Sequence, residues 1–340
     1  MKATFLTICG LLALSPAALM AKSCPMPPAP VVSLAYDSRY QADSTTRSEI
    51  DPKADAEVTK ALGPVDDFLR DLTLMANSSF KEGADQAGIA DCVVAQIAVW
   101  AGAGALTELK SPTSNLTIGS RMAGFGLVLL QVLPHTTRTD DVATIKIWLA
   151  TLQKNQTEFW ETGAPDKARK GNLRAWASLG AATAADILDD APLRAWALWS
   201  VNYVLCSADP DGSLPQEMSR GKYALKYQLH AISPLVVTAL LLERKGADVQ
   251  GLCDHALSRV IAFAVADLDT GAATEAITGK VQTFFDGSDK IEGFHVAWLE
   301  PYLTFDKSAD RAMLIKLAAK YGPLNNSKLG GDQTMIWQAN

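Results

Sequence analysis

Arg220, Tyr227 and His230 follow one another at spacings of seven and three residues. On a helix those spacings stack side chains along one face. Ahead of them runs Asp211-Gly212-Ser213-Leu214-Pro215-Gln216-Glu217, where Pro215 is placed to open a helix reaching Ser233. A planar guanidinium binds a carboxylate through two parallel hydrogen bonds. A phenol can take a proton and return it. Together they would suit removal of a proton beside an anionic carboxylate; a solvated polar face with Tyr227 capping the core has the same pattern. Two further segments stand out. Gly171-Asn172-Leu173-Arg174-Ala175-Trp176 leads into an alanine-rich run, with Asn172 placed as a helix N-cap. Ala297-Trp298-Leu299-Glu300-Pro301-Tyr302 precedes Gly322-Pro323 and Leu329-Gly330-Gly331-Asp332. There Trp298 either stacks on a sugar ring or packs within a C-terminal lid.

The elements that must hold these residues are helical. Val65, Phe68, Leu69, Leu72 and Met75 recur at helical spacing, as do Val93, Ile97 and Trp100, and Ile145, Trp148, Leu149 and Leu152. Alanine-rich segments follow at 175–187, 195–206, 231–243, 255–267 and 309–319. Alternating runs bounded by turn residues are scarce. The pattern predicts about ten helices of ordinary length joined by short polar loops, packed as a bundle or as a ring of hairpins.

Residues 1–21 read as an export signal: Lys2, then an apolar core from Phe5 to Leu14 too short to span a bilayer, then small residues to Ala21. Residues 22–50, rich in Pro, Ser, Thr and Asp, read as an extended arm, and 51–340 as one domain. The expected location is the periplasm, with no membrane span. Of the five cysteines, Cys9 lies in the signal. Cys24, Cys92, Cys206 and Cys253 allow three pairings, with buried free thiols as the other possibility; Cys24–Cys92 with Cys206–Cys253 is the expected set. With 31 Lys and Arg against 37 Asp and Glu, the chain lacks the basic balance of a general nucleic-acid binder. A locally basic groove for an acidic sugar polymer is compatible with it. No cysteine or histidine spacing resembles a zinc site, and no metal or organic cofactor is expected.

Taken together, the segments resemble the alginate lyases of polysaccharide lyase family five, from about Ser38 to Trp337. The Asp-Gly-x-Leu-Pro-x-Glu run, Ala224-Leu225-x-Tyr227, Ala297-Trp298-Leu299-Glu300-Pro301 and Leu329-Gly330-Gly331-Asp332 carry it, with Cys92 and Trp100-Ala101-x-Ala103-Gly104-Ala105-Leu106. The resemblance implies an all-α fold, an incomplete (α/α) toroid of helical hairpins around a groove. It also implies β-elimination on a 1,4-linked polyuronate such as mannuronan or glucuronan. The family's Asn-Asn-His-x-Tyr-Trp reads Gly171-Asn172-Leu173-Arg174-Ala175-Trp176 here, so Leu173 replaces its histidine. Its Tyr-His reads Tyr227-Gln228, and its Ser-Lys-Tyr reads Ser38-Arg39-Tyr40. Asn115 to Ser120 keeps little of its groove segment, although Arg121 follows directly.

By this reading Tyr227 is base and then acid, and Arg220 and Asn172 neutralise the uronate carboxylate. Arg39, Tyr40, Arg121, Arg174, Trp176, His230 and Trp298 bind substrate. The partners would be an acidic polysaccharide and an exopolysaccharide synthesis or export complex. Two other classes compete: a non-catalytic polysaccharide-binding or secretion-associated protein on the same scaffold, and a glycoside hydrolase. The hydrolase needs two positioned carboxylic acids. Asp211, Glu217, Glu300 and Asp332 are available, but their spacing singles out no pair.

Overall fold

The computed structural model describes residues 24–305 and 310–338; the proposed export signal lies outside them. The described chain is built of helices: α1 (Pro52–Asn77), α2 (Gln86–Gly102), α3 (Pro112–Thr117), α4 (Gly119–Val132), α5 (Thr139–Thr162), α6 (Asn172–Leu188), α7 (Ala191–Leu205), α8 (Pro215–Met218), α9 (Ala224–Glu243), α10 (Leu252–Asp267), α11 (Ala272–Thr278), α12 (Leu299–Phe305), α13 (Arg311–Tyr321) and α14 (Gln333–Gln338). Among the described residues, strands are confined to two short pairs. β1 (Ser33–Leu34) lies parallel to β2 (Glu108–Leu109), and β3 (Asn325–Asn326) antiparallel to β4 (Gly331–Asp332).

Local chemistry sets several helix starts. Asp51 caps α1 by accepting from the Lys53 and Ala54 amides at 2.9 and 3.1 Å, with Pro52 directly after it. Ser111 caps α3 and Asp190 caps α7, again with prolines in the first turn.

Successive long helices pair as hairpins. α1, α4, α6, α9 and α12 form an inner row, each touching the next, while α2, α5, α7, α10 and α13 pack outside them. This is an incomplete (α/α) toroid. The inner row explains the alanine-rich runs. Residues 119–129 of α4 are buried throughout, as are 174–185 of α6 and 231–242 of α9, so helices meet on all sides and need small residues to approach closely. A methyl at Gly119 would lie 2.8 Å from the Ala177 amide nitrogen, which fixes glycine where α4 meets α6.

Two large cores result. One joins α6, α7, α9, α10 and the C-terminal segments; the other joins α1, α2, α4 and α5 around Phe68, Trp100 and Phe125. The N-terminal residues run over the second, and Trp100 donates to the Pro28 carbonyl at 2.9 Å. The disulfides are the expected pairs, Cys24–Cys92 and Cys206–Cys253.

Candidate active site

The helix expected from Pro215 to Ser233 does not form as one piece. α8 ends at Met218, Gly221 adopts a left-handed backbone (φ +57°) that opens a 3-10 turn, and α9 begins at Ala224. Arg220 lies in that break and folds back over the start of α9. Its guanidinium carbon stands 4.1 Å from the centre of the Tyr227 ring and 5.1 Å from that of Tyr40. The Arg220–Tyr227 pair therefore meets across a break and not along a helix face. The Tyr227 hydroxyl is hydrogen-bonded to that of Tyr40, delivered by the N-terminal arm. Gln228, next to Tyr227, anchors the preceding turn: it accepts from the Leu214 amide and donates to the Gly212 carbonyl, both at 3.0 Å.

Asn172 is not a cap but the first residue of α6, after Gly171. The buried Glu217 does the capping from α8. It accepts from the Asn172 backbone amide at 2.6 Å and from its side-chain Nδ2 at 2.8 Å. A carboxylate suits a helix N-terminus, where amides lack helical partners. The grip leaves one Nδ2 hydrogen of Asn172 for a ligand. Because Glu217 is almost wholly buried, substitution with glutamine sets an amide group against one of the two Asn172 N–H donors. Glu217→Gln is expected to cost about 1–3 kcal/mol of stability, read from denaturant midpoints, and to raise KM through a displaced Asn172.

Asn172, Arg220 and Tyr227 border one cavity of about 290 Å³. Arg39, Arg121 and Lys328 add positive charge to it. Arg121 donates to both Asp66 oxygens through its Nε and Nη2, at 2.9 and 2.7 Å, and Arg39 pairs with Asp55 at 3.3 Å. Trp176 and His230 line the same cavity and are joined by a 2.9 Å bond from the indole N–H to His230 Nε2. Leu173 also lines it, so an aliphatic side chain stands beside Asn172.

Two expected substrate contacts are corrected. Arg174 is fully buried behind α6, bonded to Glu161 at 3.0 Å and Ser200 at 3.1 Å, with its guanidinium 4.4 Å from the Trp199 ring centre. Residues two apart on a helix diverge, so Asn172 on the cavity side sends Arg174 the other way. Trp176, four residues on, shares the Asn172 face. Trp298 is fully buried in the larger core, so its ring has no face for a sugar; the packed alternative is the one realised. The candidate hydrolase acids are also engaged elsewhere. Asp211 bonds Ser213, Glu300 bonds Thr334 and Asp332 bonds Met335. Among the described residues the acid that borders the cavity is Asp37.

Sequence reading missed Lys328 in the cavity wall and Glu217 as the partner of Asn172. Both lay within reach, since Lys328 directly precedes the Leu-Gly-Gly-Asp run and Glu217 ends the run containing Pro215.

Burial dominates the site's proton affinities. It pushes the Tyr227 phenol above its ordinary value, and the neighbouring Tyr40 adds to the rise; Arg220 opposes both without reversing them. It raises Glu217 to about 7 against the bonds from Asn172, and lowers Lys328 to about 8 with help from Arg121. His230 is pushed down to about 3, by burial first and then by Lys328. His295 goes to about 4, by burial and then Lys226. The two histidines stay neutral where an unfolded chain takes up protons near 6.5, so their contribution to stability is lost as pH falls below that value. Glu217 acts oppositely: it contributes below its ordinary 4.5 and loses that contribution as pH rises to about 7. Two groups outweigh one, and the melting temperature is expected to fall from pH 6.5 toward 4. Thermal unfolding across that range checks this, and a flat profile would contradict it.

The groove of this all-α toroid thus joins an arginine–tyrosine pair and an amide in one cation-lined cavity. The profile of the family described as Alginate lyase matches residues 28–274, and the chain belongs to that family. It is 26% identical over 324 residues to an alginate lyase of Pseudomonas aeruginosa (strain PAO1 among its designations), covering 93% of this chain and 86% of that one. It is 27% identical over 337 residues to a polysaccharide lyase of Stenotrophomonas maltophilia (strain K279a), covering 96% and 95%. Among solved structures, alginate lyase A1-III from Sphingomonas species A1 superposes with a TM-score of 0.73 at 19% identity, covering 93% of this chain and 86% of that one. A variant of alginate lyase A1-III complexed with a tetrasaccharide gives 0.78, covering 95% and 88%.

Proposed function

We propose that the protein is an exported lyase that cleaves a 1,4-linked polyuronate by β-elimination. The observation that carries this reading is the Arg220 guanidinium lying over the Tyr227 ring at the edge of a cationic cavity that also holds Asn172. The C5 proton of a uronate is weakly acidic because the adjacent carboxylate resists further negative charge. Arg220 and the remaining Asn172 N–H donor would receive that carboxylate. Tyr227, once ionised, takes the C5 proton. The electron pair left at C5 forms a double bond to C4, the C4–O bond breaks, and the phenol proton passes to the departing oxygen, which restores the phenolate. One residue serves both steps because both reacting groups lie on one side of the sugar. His230 is neutral and accepts from Trp176, so charge neutralisation falls to the arginines. Alginate lyases are the named relatives, and an acidic polysaccharide fits the cavity's charge. We place the protein in the periplasm, beside an exopolysaccharide synthesis or export complex, on the strength of residues 1–21.

The test is incubation with polymannuronate and polyglucuronate while following ultraviolet absorbance of the new unsaturated ends. One observation favours the second reading, a polysaccharide binder without turnover: Leu173 fills the wall beside Asn172, and a leucine neither moves protons nor carries charge. Tight polymer binding with no unsaturated product would select it.

A further inference from the structure

Trp196, Trp199 and Tyr203 stand three and four residues apart on α7, so they form one ridge along an outer helix. Such a helix buries its inner face and leaves the other to water, where packing gives no reason for large rings. Trp199 is nevertheless 45% exposed and Tyr203 36%, and their rings stack with planes 28° and centres 5.4 Å apart. Arg174 underlies them. Its guanidinium lies 4.4 Å from the Trp199 ring centre and 5.3 Å from that of Tyr203. Because Arg174 is itself fully buried, the open area of both rings faces solvent. At the foot of the ridge, Trp196 donates from its indole N–H to Glu161 at 2.8 Å, and Glu161 also accepts from Arg174. The acid nearest the rings is thereby neutralised, and the rings rest on a fixed base.

Four residues beyond Tyr203, Ser207 borders a depression of about 450 Å³ that also holds Lys167, Lys170, Gln216 and Ser219. Both lysines are exposed, and neither forms an ion pair among the described residues. Asp166 is the acid in the same wall. Between the lysines in the chain, Arg169 adds a third positive charge, its guanidinium held by the Ala164 and Glu161 carbonyls. Flat apolar rings beside free ammonium groups suit a uronate chain: the C–H face of a pyranose packs on the rings, and carboxylates pair with the lysines. The depression lies on the solvent side of α8, whose buried Glu217 faces Asn172. Ser219 directly precedes Arg220, which borders the active cavity, so the two sites open on either side of the end of α8.

We propose that Trp199 and Tyr203, with Lys167 and Lys170, form a second binding site for the acidic polysaccharide on the outer face of the toroid. It holds one stretch of a long chain while another occupies the active cavity. The proposal rests on the acidic-polysaccharide reading above and not on turnover. Two sites on one chain act through effective concentration, so the gain appears for polymers and not for fragments that span a single site. Two double variants are compared with the parent protein: Trp199→Ala with Tyr203→Ala, and Lys167→Ala with Lys170→Ala. The second pair alters surface side chains alone and leaves the packing over Arg174 intact. The probes are long polymannuronate and polyglucuronate and a tetrasaccharide of each. Binding is measured by calorimetry in a Tyr227→Phe background, which keeps the polymer whole, and KM in the active protein. Each double variant is expected to weaken binding of the long polymer and raise its KM by about tenfold or more, with tetrasaccharide affinity changed less than about twofold. Unchanged polymer affinity in the lysine variant, or equal losses there on polymer and tetrasaccharide, overturns the proposal. No unsaturated product from any polymer overturns the lyase reading alone, and the calorimetry still decides the second site. If neither long polymer binds, both fall.

Discussion

Tyr227→Phe is expected to lower kcat by roughly 10²–10⁴-fold, the range of a positioned proton-transfer group, with polymer affinity changed less than about threefold. The substitution deletes one oxygen and keeps the ring that Arg220 covers at 4.1 Å, so the guanidinium stays in place for the carboxylate. What disappears is the hydroxyl bonded to Tyr40, on the phenol nearer to Arg220 of the two that its guanidinium covers. The wild-type pH profile belongs to the same prediction. Burial holds the Tyr227 proton above its ordinary affinity, so the base form, and with it kcat, grows as pH rises on the alkaline side. Lys328 loses its charge above about 8, so KM worsens over the same interval. Single-turnover rates and KM across pH check both limbs. A Tyr227→Phe protein that retains most of its turnover would remove the phenol from the reaction.

Arg220→Ala is expected to cost about 10²–10³-fold in kcat/KM, near 2.7–4 kcal/mol, as for loss of one preorganised charge-stabilising group. Arg220→Lys should recover only a small part. The guanidinium spans two aromatic rings, Tyr227 and Tyr40, and bonds the Arg47 carbonyl at 3.1 Å. A compact ammonium has neither the plane nor the fork to do all three. Arg220 also works against the burial that raises the Tyr227 phenol. Its loss should therefore move the alkaline rise of kcat to still higher pH, which a merely structural arginine would not do. Rates and pH profiles of both variants measure this; identical profiles in wild type and Arg220→Ala would contradict it.

Much of this was legible beforehand because it depends on short-range periodicity. Apolar spacing in α1, α2 and α5, and the alanine-rich runs of α6 and α9, follow from the helix repeat and from crowding. The cavity face of α6 was also readable: Asn172 and Trp176 are four apart, whereas Arg174 is two from each and must diverge. Trp298 was ambiguous for a different reason. A tryptophan stacks on a sugar or fills a core with the same local sequence around it, and only its neighbours decide.

By itself the sequence determined the helical class, offered the disulfide pairs among its possible pairings, and singled out the tyrosine and arginine proposed for the chemistry. Only the tertiary structure decided how they meet. Gly221 breaks the helix and swings Arg220 over Tyr227, Glu217 reaches across 45 positions to hold Asn172, and Lys328 and Tyr40 arrive from opposite ends of the chain. A helix repeat says which residues share a face, but not what that face will meet. Contacts between distant segments, and the paired or unpaired state of each charge beside Tyr227, come from packing alone.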